Sequence, residues 1–221
     1  MILYSGTKNA SSWSFRAWLA LKEAGLRFDL KSVDLTEPAR GDALAAVARF
    51  SPSASVPALM VDDVVIFDSM AIMEYANDRV GGDLLPKESK ARAVARSLLA
   101  WQHSGVTGLC PALSFESVFY ENKRDPTAEE TADAKRLLAA WCDCLRRSGG
   151  PYLMGSLSLA DLAFVPTIMR IFSHVAVPTR WAEAATWMDL LLQRTSVVEW
   201  MEDARRLDPV YLPDYRDGGR V

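Results

Sequence analysis

Val56-Pro57-Ala58-Leu59-Met60-Val61-Asp62-Asp63-Val64-Val65-Ile66-Phe67-Asp68-Ser69 is the stretch on which the fold turns. Two β-branched runs, 56–61 and 64–67, flank a two-residue acidic turn, the pattern of a β-hairpin. Asp68 and Ser69 then supply side-chain oxygens suited to cap the first turn of a helix. Its apolar positions Met70, Ile72, Met73, Tyr75 and Ala76 run to Gly81-Gly82. Upstream, 2–5 reads as a short apolar strand and 6–10 as a polar loop. Ser11 and Ser12 precede Trp13, Phe15, Trp18, Leu19 and Leu21 at helical spacing, and Gly25 stops that helix. Residues 28–33 read as a second strand, 42–50 as an Ala-rich helix, and Ser51-Pro52-Ser53-Ala54-Ser55 as a loop. The order is βαβαββα, an α+β domain over residues 1–81.

Downstream the pattern changes to helices alone. Residues 87–109 form the first, ended or kinked by Pro111, whose ring cannot continue a hydrogen-bonded helix. Residues 126–147 form the second, and Gly149-Gly150-Pro151 breaks it. Residues 158–172, 183–192 and 197–207 complete an all-helical second domain, 87–221. The last stretch, 208–221, rich in Asp, Pro, Gly and Tyr, is expected to wrap the surface.

Composition narrows the function. The chain has 221 residues, half of them hydrophobic, with a formal net charge of −3 and no basic run that would suit nucleic acid. The Met1-Ile2-Leu3-Tyr4-Ser5 start lacks a charged leader, so no signal peptide is expected. No run reaches the ~18 apolar residues of a membrane span, and a cytoplasmic protein is expected. Three cysteines, Cys110, Cys142 and Cys144, do not describe a disulfide framework. His103 and His174 are the only histidines, and neither stands at metal-ligand spacing. No metal is expected, and the chemistry has to run without a conventional imidazole base.

Four features, in order, resemble the cytosolic glutathione transferases, and the likeness spans essentially the whole chain. Ser11-Ser12-Trp13-Ser14-Phe15-Arg16 with Ala20-Leu21 is similar to the Ser-Ser-x-Ser-x-Arg segment of zeta-like and related bacterial members. A serine at a helix N-terminus, among unpaired N–H groups and the positive dipole end, can donate to a thiolate and lower its pKa. An ordinary N-cap uses the same residue. Val56-Pro57 at a strand entrance resembles the family's cis-proline, beside which the backbone pairs with the cysteinyl part of glutathione. Asp68-Ser69 resembles the acidic residue and hydroxyl that hold the γ-glutamyl ammonium and carboxylate; helix N-termini favour carboxylates. Gly155-Ser156-Leu157-Ser158-Leu159-Ala160-Asp161-Leu162 resembles the capping box of the family's core C-terminal helix.

The resemblance implies a thioredoxin-like N-terminal domain, a mixed four-stranded sheet and a helical bundle, working together as a glutathione transferase. Ser11 or Ser12 would activate the thiol of glutathione, the co-substrate. Trp13, Val56, Pro57, Asp68 and Ser69 would bind it. A small hydrophobic electrophile would lie between the domains against Trp101, Leu109, Phe115 and Phe119, residues that core packing or a dimer contact would equally explain. A homodimer with a detoxifying role is expected on the same ground. A glutathione-binding carrier without useful catalysis and a glutathione-dependent isomerase are the alternatives. Trp18 stands where many zeta-like members have a second arginine, which argues against the isomerase. Ser55 precedes Val56 where many relatives have Gln or Lys, which leaves the glycyl carboxylate without its usual partner.

Overall fold

The computed structural model describes residues 1–177, 179–212 and 215, with the backbone only at 107. It begins with β1 (Ile2–Gly6), α1 (Ser12–Glu23), β2 (Asp29–Val33) and α2 (Arg40–Ala48). β3 (Ala58–Val61), β4 (Val64–Phe67) and α3 (Ser69–Arg79) follow. The strands form one four-stranded mixed sheet in the order β2-β1-β3-β4. β1 runs parallel to β2, pairing Leu3 with Leu30, because a helix intervenes and carries the chain back to the same end. It runs antiparallel to β3, pairing Leu3 with Leu59. β3 and β4 are the hairpin, closed between Val61 and Val64. At the turn Asp62 takes a φ of +53°, a left-handed conformation that aspartate tolerates better than a branched residue.

α1 is buried along its length from Ser14 to Leu21. Phe15, Ala17, Leu19, Ala20 and Leu21 have no exposed surface. A helix so enclosed cannot shift without disturbing the core, so its N-terminus is held at a fixed place beside the end of β1.

The helical part contains α4 (Ser89–His103), α5 (Leu109–Ala112), α6 (Ala128–Ser148), α7 (Leu159–His174), α8 (Ala182–Leu192) and α9 (Thr195–Arg205). The helix predicted over 87–109 breaks earlier than Pro111 requires. Gly105 at φ +80° and Val106 at φ +51° turn the chain first. Of the predicted surface tail, residues 213, 214 and 216–221 lie outside the described residues.

Two compact units result. The first joins Met1–Gly82 with Thr195–Val210, so α9 returns to the N-terminal unit rather than remaining with the helices before it. Trp200 of α9 donates from Nε1 to the Lys8 carbonyl at 3.0 Å and stacks on Phe15 at 4.8 Å. Trp18 lies 5.4 Å from the same ring and is 3% exposed. The second unit comprises Asp83–Arg194 with Tyr211, Leu212 and Tyr215. Among the described residues no helix is long and apolar enough to cross a membrane.

Candidate functional site

The site is built where β1 ends and α1 and α3 begin. Ser11 is the N-cap of α1: its Oγ accepts the Ser14 N–H at 3.3 Å. The Ser11 hydroxyl also bonds to Ser14 Oγ at 2.8 Å, and Ser14 Oγ accepts the Gly6 N–H at 3.0 Å. Ser11 and Ser14 are buried, Ser12 is half-buried as the first residue of the helix, and Trp13 is exposed. The first turn of α1 carries no acidic residue, so nothing within it neutralises the positive helix end.

Gly6 fixes how close these parts come. A methyl group added there would stand 2.8 Å from the Ser11 Cβ, 3.0 Å from a Val56 methyl and 2.5 Å from a Leu35 methyl. Only a residue without a side chain lets the cap of α1 and the entrance to β3 approach to this distance. The Val56–Pro57 peptide is cis.

α3 begins with Asp68, whose φ of +75° is in the left-handed region and whose carboxylate accepts the Met70 N–H at 2.7 Å. A non-glycine residue held there is the kind of local strain found at ligand contacts. Ser69, next in line, is buried. Its Oγ accepts two bonds from Arg16, from Nε at 2.9 Å and Nη2 at 2.7 Å. Arg16 is itself 1% exposed, and its guanidinium lies over the Trp13 ring at 4.2 Å. A buried cation therefore ties the α1 helix to the first residue of α3. With both hydroxyl lone pairs occupied by Arg16, the Ser69 hydroxyl can serve a ligand as a donor but not as an acceptor.

Ser11, Ser12, Trp13, Val56, Pro57, Asp68 and Ser69 thus belong to one unit, and contacts through Gly6 and Arg16 join its segments. Gly6, Ser14 and Arg16 escaped selection as site residues. Ser14 and Arg16 stand inside the motif, yet only the fold shows that one joins Gly6 to Ser11 and the other reaches Ser69. The four apolar candidates of the helical unit stand differently. Leu109 and Phe115 are 1% exposed each and so offer no surface to a small molecule. Phe115 is held edge-on by Phe119 at 5.5 Å, with the Arg170 guanidinium 5.5 Å from its ring. Trp101 and Phe119 are half-buried; Trp101 lies edge-on to Phe164. Sequence periodicity marks apolar faces but does not separate a wall from a core. Among the described residues no cluster of His, Cys, Asp and Glu could hold a metal.

The chain is similar to known proteins in both sequence and fold. The family model for the glutathione S-transferase N-terminal domain matches residues 10–79. A probable maleylacetoacetate isomerase of Caenorhabditis elegans is 31% identical over 173 residues, 76% of this chain and 77% of the relative. The maleylacetoacetate isomerase of Mus musculus is 29% identical over 169 residues, 76% of each chain. Among solved structures, a glutathione transferase homolog from Burkholderia gl BGR1, crystallised with bound glutathione, superposes with a TM-score of 0.67. It is 24% identical, with 94% of this chain and 98% of that one covered.

Proposed function

Because this chain belongs to the glutathione S-transferase family, we propose that its N-terminal unit binds glutathione and that Ser11 activates the thiol for attack on a small apolar electrophile. The observation that carries this reading is the approach of the α1 cap to the Val56–Pro57 entrance across Gly6. A cysteinyl backbone paired beside Val56 would bring its sulfur to the Ser11 hydroxyl and the unneutralised end of α1. Ser69, held by Arg16, and the N-terminus of α3 suit the γ-glutamyl carboxylate, and the Asp68 carboxylate suits its ammonium.

The chemistry follows from charge. A free thiol has a pKa near ~8.5, and the thiolate is the nucleophile. A hydroxyl donor and the positive helix end favour the anion, and the thiol proton leaves to solvent. The sulfur pair then forms the new C–S bond while the leaving group departs with its own bonding pair. The exposed indole of Trp13, next to Ser12, is suited to flank the bound glutathione. The unbridged Cys110, Cys142 and Cys144 suit a reducing, cytoplasmic setting, and a detoxifying role is proposed from the family alone. The exposed Val64 and Phe67 of edge strand β4 support a homodimer.

The test compares Ser11→Ala with Ser12→Ala by titrating the thiol in the glutathione complex. Ser11→Ala is expected to raise its pKa by about one to two units, and Ser12→Ala by much less. The reverse order would hand the role to Ser12; no rise in either variant would end the mechanism. Retention on glutathione resin without conjugation of any electrophile would instead identify a binding module.

A second reading, a glutathione-dependent isomerase, is favoured by the names of the relatives at 29% and 31% identity. Trp18 does not count against it. That side chain is buried against Trp200 rather than turned to the site. Its presence says how α9 docks, not which substrate is taken. Recycling rather than consumption of glutathione during turnover would select the isomerase.

A further inference from the structure

Ser14 is buried without any exposed surface at the third position of α1, where a surface helix would place a solvated side chain. Its hydroxyl is bonded to that of Ser11, the residue proposed to meet the sulfur. Its Oγ takes the Gly6 N–H at 3.0 Å and the Ser11 hydroxyl at 2.8 Å, while its own N–H reaches Ser11 Oγ at 3.3 Å. Two hydroxyls and two backbone donors are thus closed into a single buried network.

We propose that Ser14 is a positioning residue that turns Ser11 into a thiolate donor, through a line running from Gly6 N–H to Ser14 Oγ–H to Ser11 Oγ–H to the sulfur. In the free protein the Ser11 hydrogen is spent on Ser14. When a thiolate arrives, the Ser11 hydrogen turns to it. The Ser14 hydrogen then turns to Ser11 Oγ, so the 2.8 Å contact persists with donor and acceptor exchanged. Neither hydroxyl is stranded, which matters because a buried polar group without a partner is costly. The Gly6 N–H, fixed by the strand, keeps Ser14 supplied with a donor throughout. Each hydroxyl that accepts a bond becomes a better donor, so the line strengthens the bond to sulfur beyond what Ser11 alone provides. No covalent bond changes; two hydroxyl rotors turn, and the thiol proton goes to solvent.

The inference rests on Ser11 being the thiol partner, and the experiment separates the two claims. The thiol pKa in the glutathione complex is read by ultraviolet absorbance of the thiolate in wild type, Ser11→Ala, Ser14→Ala and the double variant, with kcat and KM beside it. Ser14→Ala is expected to raise the pKa by about half a unit. It should also lower kcat at neutral pH several-fold, with KM for glutathione nearly unchanged. In the Ser11→Ala background it should change neither, because the residue it acts through is gone. If Ser11→Ala leaves the pKa unmoved, the reading of Ser11 fails. If Ser11→Ala raises it while Ser14→Ala does nothing, or adds its full effect in the double variant, the Ser14 line is wrong. Should Ser14→Ala not fold, Ser14→Cys keeps a side chain of similar shape with a weak donor. The same rise is expected from it, and an unchanged pKa would overturn the proposal.

Discussion

Two helices of this protein start with the same spacing and opposite electrostatics. α1 is capped by Ser11 with Ser14 three residues on; α7 is capped by Ser158 with Asp161 three residues on. At α7 the cap is closed by a charge. Asp161 Oδ2 accepts the Ser158 N–H at 2.8 Å and its hydroxyl at 2.7 Å. Oδ1 accepts the Leu153 N–H at 2.9 Å and the Trp187 indole at 2.8 Å. α6 repeats the device with Thr127 and Glu130, the latter also paired to Arg124. At α1 a hydroxyl stands where those helices have a carboxylate. A carboxylate consumes the helix end to stabilise the fold, whereas a hydroxyl satisfies the cap and leaves the positive end for an outside anion. The caps in the helical unit hold structure; the cap in the first unit is suited to chemistry.

The largest effect should come from breaking the α7 cap. Asp161→Ala strands the Leu153, Ser158 and Trp187 donors bonded to this fully buried carboxylate, and a loss of about 3–5 kcal/mol in chemical denaturation is expected. Burial holds the Asp161 carboxyl above the ordinary aspartate range, against the opposing pull of the hydrogen bonds from Leu153, Ser158 and Trp187. A loss below that of an ordinary surface substitution would show that this cap is not structural.

Gly6→Ala attacks the α1 cap without touching its hydroxyls. The added methyl meets Ser11, Val56 and Leu35 at or below about van der Waals contact, and overpacking of this kind costs roughly 1–3 kcal/mol. Glutathione affinity should fall with stability, because Ser11 and Val56 are pushed apart. Unchanged binding, read by calorimetry, would separate the cap from the ligand site.

The smallest effect sharpens the comparison through pH. Hydrogen bonding from Arg124, and from the Thr127 N–H, holds the Glu130 carboxyl below the usual carboxylate range despite its burial. Its folded pKa is therefore depressed. Its contribution to stability is complete above the ordinary glutamate value and is lost as pH falls through the folded value. Glu130→Gln should flatten that part of the acid limb of the unfolding midpoint. Ser14→Ala should leave its shape unaltered, since the α1 cap has no carboxylate to protonate.

Much of this was legible in the residues themselves. The βαβαββα order, the hairpin turn at Asp62-Asp63 and the box at Ser158–Asp161 follow from local chemistry, since alternation, turn residues and caps act over a few positions. The helix break at Gly105 was masked by the louder signal of Pro111. Leu109 and Phe115 read as pocket walls because an apolar residue has the same pattern whether it faces a cavity or a core.

By itself the sequence determined which side chains can cap, turn and carry charge: a serine pair at one helix start, Asp-Ser at another, proline at a strand entrance. Only the tertiary structure decided that Arg16 reaches Ser69 and that Trp18 serves α9. It alone decided that Gly6 brings Ser11 against Val56 and that Ser14 lies behind Ser11 rather than in water. Those are contacts between residues distant in the chain or on opposite sides of a cap, and no local preference encodes them. They exist because buried polar groups on α1 must find partners inside the protein: Ser14 finds them in Ser11 and the Gly6 N–H, and Arg16 in Ser69.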